Sequence, residues 1–216
     1  MYEEATNSLN YWNQMHTHYD RDAIAVDDWL DQYAALIDAC DTPILDLGCG
    51  SGNDTLYLLR KGKQVYAVDQ SENAIRNITK NFPEVAEAKV MNMLDGIDYP
   101  DNTFDIVIAD LSLHYFDAST THRILSDIRR ILRPGGHLLV RVNSIKDVNH
   151  GAGSGEEVEH HLYRTDNGMF KRFFDEADIR EIFSDFQIIF LEEQKMLRYK
   201  LVKMVYNAGF ENSDNL

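Results

Sequence analysis

The sequence predicts an α/β fold: a doubly wound, mostly parallel seven-stranded sheet with helices on both faces and a C-terminal antiparallel hairpin. Three observations carry this expectation. Short apolar runs alternate with segments of helical period between residues 43 and 144, the pattern of strands joined by single crossover helices. Two strand-like runs close the chain with no helix between them, as an antiparallel pair allows. The 216 residues are enough for one domain with a sizeable core that needs neither disulfides nor a structural metal.

Each element follows from local pattern. "AVDDWLDQYAALIDAC" spaces its apolar residues as a helix does. "PILDLG" is a short buried strand ended by glycine, and a helix runs from about Asp54 to Arg60. "KQVYAVD" is a second strand, "SENAIRNITKNF" a helix with Ser71 as its N-cap, and "AKVMNM" a third strand. "FDIVIAD" is a fourth strand, "ASTTHRILSDIRRIL" a helix stopped by Pro134, and "GGHLLVRVNS" a fifth. After Ser144 the rhythm breaks, and "IKDVNHGAGSGEEVEHH" reads as a long mobile loop. "FDEADIREIFSDF" resumes as a helix, and "QIIFLEEQ" and "KLVKMVYNAGF" make the closing hairpin.

Composition narrows the functions. With 36 acidic against 21 basic residues and a net charge of −15, the chain should repel a phosphate backbone, so no nucleic-acid partner is expected. The start "MYEEATNSLNYWNQMHTHYD" lacks an apolar stretch behind a basic one, and no apolar run approaches a membrane span, so a cytoplasmic protein without membrane contact is expected. Cys40 and Cys49 stand outside any metal-binding spacing and are expected to be reduced thiols.

The chemistry gathers in "PILDLGCGSGNDTLYLL". Gly48, Gly50 and Gly52 lie between a strand and a helix, where a ligand approaches bare backbone, although such a turn also serves helix packing alone. Asp69 ends the second strand 19 residues after Gly50, close to the offset of about 20 at which an acid bonds a ribose hydroxyl; helix capping is the alternative. The G-x-G-x-G spacing departs from the dinucleotide fingerprint, and Asp46 and Asp54 would oppose a pyrophosphate. An adenosine ligand with a cationic reactive centre, such as S-adenosylmethionine, suits this acidic mouth better.

In "ILDLGCGSG", "VYAVDQS", "PDNTFDIVIADLSLHYF" and "ILRPGGHLLVRVNS", in this order, the chain resembles the class I S-adenosylmethionine-dependent methyltransferases, which have a Rossmann-like fold. The resemblance implies that Asp46, Gly48, Cys49, Gly50 and Gly52 form the loop near the methionine moiety, and that Asp69 with Gln70 clamps the ribose. It places Asn92 and Met93 beside the adenine, Asn92 standing where many relatives have aspartate, with Asp95 the alternative acceptor. Asp110 and Leu111 become the floor of the methionine pocket. One domain is implied, with residues 1–42 a helical lid region, 43–144 the cofactor-binding core, and 145–216 a lid loop, a helix and strands.

His114, four residues past Asp110, is the candidate catalytic base, with packing of a helix start as its alternative role. Tyr11, Trp12, Tyr19, Tyr115, Tyr163 and Arg172 are candidate acceptor contacts, and Lys171 and Arg198 are further cationic candidates. His150, His160 and His161 lack a ligand spacing, so no metal is expected. A small-molecule methyl acceptor and a monomer or homodimer are the expectation. An RNA or protein methyltransferase, or a non-catalytic nucleotide-binding regulator, stays open.

Overall fold

Strand β1 (Ile44–Leu47) is the hub of the computed structural model, which describes residues 2–17, 21 and 24–213. It pairs in parallel with β2 (Val65–Asp69) on one side and β4 (Phe104–Asp110) on the other. Beyond them lie β3 (Glu87–Val90) and β5 (Leu132–Asn143), also parallel to their neighbours. The antiparallel pair β9 (Gln187–Met196) and β10 (Lys203–Glu211) completes a seven-stranded sheet of order β3-β2-β1-β4-β5-β10-β9. The expected doubly wound sheet with its terminal hairpin is the one observed. Winding reverses between β1 and β4, and a crevice opens at the carboxyl ends of such strands.

Strand side chains alternate between two covered faces. In β4, Val107 and Ala109 meet α5 (Ala118–Ile131) and α6 (Glu176–Ile182), while Ile106 and Ile108 meet α2 (Ala34–Ala39) and α3 (Asn53–Arg60). All four are buried, which is why "FDIVIAD" reads as a continuous apolar run. Helix α4 (Glu72–Asn81) packs Ile75 and Ile78 over Ala67 of β2, and Ser71 caps it by accepting the Ala74 N–H at 3.2 Å, as expected. The N-terminal helix α1 (Tyr2–Met15) lies on α4, where Asn73 Nδ2 donates to the Asn13 carbonyl (2.7 Å) and Asn77 Nδ2 to that of His16 (2.8 Å). Among the described residues no helix is long and apolar enough to cross a membrane.

Three local expectations need correction. "AVDDWLDQYAALIDAC" does not form one helix; a 3₁₀ turn at Asp31–Tyr33 leads into the short α2. Tertiary partners hold this entry, since Trp29 Nε1 donates to Asp54 Oδ1 (2.8 Å) and the Tyr57 hydroxyl to Asp31 Oδ1 (2.7 Å). Helix α5 ends at Ile131, ahead of Pro134, and β5 begins at once. The stretch after Ser144 is not one open loop either. It builds a small antiparallel sheet of β6 (Glu156–Glu159), β7 (Leu162–Arg164) and β8 (Phe170–Arg172), from strands too short and too polar for an apolar alternation to appear.

Candidate functional site

At the carboxyl edge of the sheet a cavity of about 390 Å³ runs from the end of β3, across β2, β1 and β4, to the start of β10. Its size is in the range of small-molecule sites. The loop after β1 forms the middle of its wall through Gly48, Cys49 and Gly50. Gly48 has φ +82°, and a Cβ there would lie 2.5 Å from that of Ser112, whose hydroxyl donates to the Leu47 carbonyl at 2.8 Å. Gly52 has φ +87°, and a Cβ there would lie 2.7 Å from Ile78 and from Phe82, so its missing side chain serves the packing of α4. Gly52 does not line the cavity, and neither does Asp46. Asp46 is buried beneath the loop and accepts the Thr55 hydroxyl at 2.5 Å. Burial, with the charges of Asp110 and Asp69 nearby, pushes its carboxyl up to about 7.

Asp69 ends β2 with its carboxylate turned to the loop. Gly50 N–H donates to one oxygen (3.0 Å) and Ser71 N–H to the other (2.8 Å). Burial raises its pKa and these two donors oppose the rise. Gln70 lines the cavity beside it. From α1 and the residue after it come Trp12 and His16, stacked at 5.8 Å, with the His16 ring 3.3 Å from where a Gly50 Cβ would stand. At the β3 end Met91, Asn92 and Met93 line the wall. Asn92 Oδ1 already accepts the Leu94 N–H at 3.0 Å, which leaves it one lone pair, and Asp95 is not in the lining.

The end of β4 is built differently. Both Asp110 oxygens take the fork of Arg141 at 2.7 Å, and Arg198 Nη2 adds a third bond at 3.0 Å. Burial pushes Asp110 up, but the two guanidinium groups outweigh it and hold the acid at about 2. Arg141 also donates to Asp27 Oδ2 at 2.8 Å and lies over the Trp29 ring at 4.5 Å. Asp110 and Leu111 line the cavity. Leu111 has φ +53°, a left-handed conformation costing on the order of 1–3 kcal/mol in a side-chain-bearing residue, and its N–H is fixed to the Arg141 carbonyl at 2.9 Å.

His114 and Tyr115 follow, rings 4.1 Å apart, and both line the cavity. His114 is 1% exposed; its carbonyl accepts the Arg172 N–H at 2.7 Å, and its Nδ1 has no hydrogen-bond partner. Burial, with Lys203 and Lys171 behind it, holds the imidazole well below its usual range, so the ring is neutral at pH 7. Trp12, also in the lining, meets Tyr115 edge-on at 5.2 Å. Arg198, Tyr199 and Lys203, from the β9–β10 turn and the start of β10, form the far wall.

Other candidate residues lie elsewhere. Tyr11 is outside the lining and packs edge-on to Trp12 at 5.1 Å. Tyr19 lies outside the described residues. Tyr163 packs against Phe173 at 6.0 Å, away from the cavity. Arg172 is 4% exposed and bonds Glu159 Oε2 (2.5 Å) and the His160 carbonyl (2.9 Å), so it pins the small sheet and does not contact the cavity. His160, His161 and Asp178 lie within 4.8 Å of one another, also away from the cavity, and Asp178 is engaged in the capping box of α6. Arg141, Asp27, Ser112 and Lys203 were missed by pattern reading. Arg141 alone left a trace, as a lone cation inside the apolar "LLVRVN".

Residues 45–140 match the family model for a methyltransferase domain. Over 93 residues the chain is 31% identical to an uncharacterized methyltransferase of Synechocystis, covering 43% of each. Over 94 residues it is 36% identical to the human mitochondrial arginine-hydroxylase NDUFAF5, covering 43% of this chain and 26% of that one. The match thus spans less than half the length of these curated relatives. Among solved structures, the 1,6-didemethyltoxoflavin-N1-methyltransferase of Burkholderia thailandensis, with bound 1,6-didemethyltoxoflavin and S-adenosylhomocysteine, superposes with a TM-score of 0.65. The identity is 22% over 86% of this chain and 76% of that one, so what is shared is the fold. By the domain match, residues 45–140 are a methyltransferase domain, and the chain shares the fold of solved S-adenosylmethionine-dependent methyltransferases.

Proposed function

We propose that this chain is an S-adenosylmethionine-dependent methyltransferase acting on a small-molecule acceptor. The observation that carries the reading is a single cavity joining a backbone-braced acid, Asp69, to a buried neutral imidazole, His114. Each Asp69 oxygen spends one lone pair on a backbone N–H, which fixes the carboxylate and leaves acceptor capacity for two vicinal hydroxyls. That is the donor set of a ribose. Gln70, Asn92 and Met93 border the space next to it, where a purine fits, and the Gly48–Gly50 backbone faces the space between Asp69 and Asp110.

When bound, S-adenosylmethionine supplies a methyl group on a sulfonium sulfur. The chain's own task is to align an acceptor with that methyl and to exclude water. Trp12 and Tyr115 line the cavity, and the rigid β4 end, fixed by Arg141, sets the floor. His114 takes the proton from an oxygen or nitrogen acceptor as it attacks. In this reading residues 43–144 bind the cofactor, while 1–42 and 145–216 complete the acceptor side.

Calorimetry with S-adenosylhomocysteine tests the cofactor, and release of that product in the presence of panels of phenols, amines and carboxylic acids tests the activity. Saturable binding with product release in one class is expected. Binding without release from any class would favour a regulatory role, and no binding would remove the reading.

A further inference from the structure

We propose that the methyl acceptor is an organic anion, whose carboxylate or phosphate group docks on Lys203, with Lys171 behind it, at the β10 end of the cavity. This rests on the methyltransferase reading above and names the substrate class of the same site.

The chain carries a net charge of −15, yet Arg198 and Lys203 line the cavity end formed by β10 and the β9–β10 turn, with Arg141 and Lys171 outside the lining but next to them. Two of them are matched. Arg141 and Arg198 meet Asp110 and Asp27, two guanidinium groups against two carboxylates. Lys203 and Lys171 are not matched in the same way. Lys203 is 5% exposed and its Nζ bonds one acid, Asp147, at 2.9 Å. Asp147 is itself shared, since its other oxygen meets His150 Nδ1 at 2.8 Å and the Met204 N–H at 3.1 Å. Lys171 Nζ bonds a carbonyl, that of His150, at 2.7 Å. Two ammonium groups therefore divide one buried carboxylate, and a positive charge is left over.

A buried cation without a counter-ion costs several kcal/mol, so a surplus held beside a cavity is the signature of a missing anion. Burial, and after it the charge of the neighbouring Lys203, bring Lys171 down to about 8. Lys203 lines the cavity and has N–H donors beyond the one given to Asp147. At the same end His114 Nδ1 has no hydrogen-bond partner, and Arg198 Nη1 makes no hydrogen bond and meets Asp27 Oδ2 only at 3.9 Å. An anionic group placed on Lys203 would satisfy the surplus charge. Burial is the main reason that His114 is a weak base; an anion here would offset the second, the charges of Lys203 and Lys171, so acceptor binding and proton removal would be coupled at one place.

The test uses the full chain loaded with S-adenosylhomocysteine, so that the cofactor's own carboxylate is already accounted for. Benzoate and phenyl phosphate are titrated against benzamide and phenol in low-chloride buffer by calorimetry. The anions should bind and their neutral counterparts should be at least about tenfold weaker. Lys171→Gln, which leaves the Lys203–Asp147 pair intact, should weaken benzoate about fivefold, and Lys203→Met about tenfold or more, with S-adenosylhomocysteine affinity held within about twofold. Equal binding of acid and amide, absence of anion binding to the loaded protein, or anion affinity that survives both substitutions would overturn the proposal while leaving the methyltransferase reading in place. Failure to bind S-adenosylhomocysteine would instead bring down the underlying reading.

Discussion

The two halves of the cavity are made by different means. The half over β3, β2 and β1 is built from backbone and one acid, with Asp69 braced by the N–H groups of Gly50 and Ser71 within a 24-residue stretch of chain from Gly48 to Ser71. The half over β4 and β10 is built from side-chain charges brought together across the fold: Asp27, Asp110, Arg141, Arg198 and Lys203. In the proposed reading, the local loop holds the adenosine of the cofactor. A long-range charge network can be altered residue by residue, and it borders the space left for the acceptor. On that reading the chain reuses a turn for the cofactor, and the charge network sets the acceptor.

The sharpest way to break this contrast is to remove the network's centre. Arg141→Leu leaves Asp110 and Asp27 facing one another with only Arg198 between them, and should cost about 3–5 kcal/mol of stability in urea unfolding. Adding Asp110→Asn should return part of that loss. A cost below about 1 kcal/mol would mean that the far half does not depend on its ion pairs.

Two further substitutions separate the halves functionally. His114→Asn should lower kcat about 100-fold with S-adenosylhomocysteine affinity unchanged, the mark of a lost proton acceptor. Asp69→Ala should do the reverse, weakening cofactor binding by about one to two orders of magnitude, on the order of 1.4–3 kcal/mol, with kcat at saturation nearly retained. If each substitution altered both quantities alike, the cavity would act as one unit and the division would fail.

This division also explains what was legible in the sequence. The strand and helix alternation, the glycine turn and Asp69 are short-range patterns, and they locate the fold and the cofactor half. The charge network is not short-range. Arg198 is legible only as one of several cations and Lys203 as one residue of the strand-like "KLVKMVYNAGF"; the antiparallel return of β10 beside β5 is what brings them to the cavity. The small sheet of β6 to β8 hid for another reason: its strands have three or four residues, and Arg172, a cation, occupies a buried position. At Gly52 and Asp46 the loop pattern picks out residues that lie outside the cavity lining and face the packing beneath it.

Asp46 gives the smallest and most specific effect. Its folded pKa of about 7 stands above an unfolded value of 3.8, so between these limits the folded chain binds a proton that the unfolded chain has released. Its contribution therefore favours folding at low pH and is lost as pH rises through about 7. Asp46→Asn keeps an acceptor for the Thr55 hydroxyl and removes the charge, so relative to wild type it should gain about 1–2 kcal/mol between pH 6 and pH 8. Other buried acids, Asp54 and Asp69 among them, also contribute to the wild-type slope, so the quantity to measure is the difference between the two proteins at each pH. A difference that stays flat from pH 5 to pH 8 would mean that Asp46 keeps an ordinary carboxylate pKa, and that the loop tolerates its charge as readily as Asp110 is tolerated between its arginines.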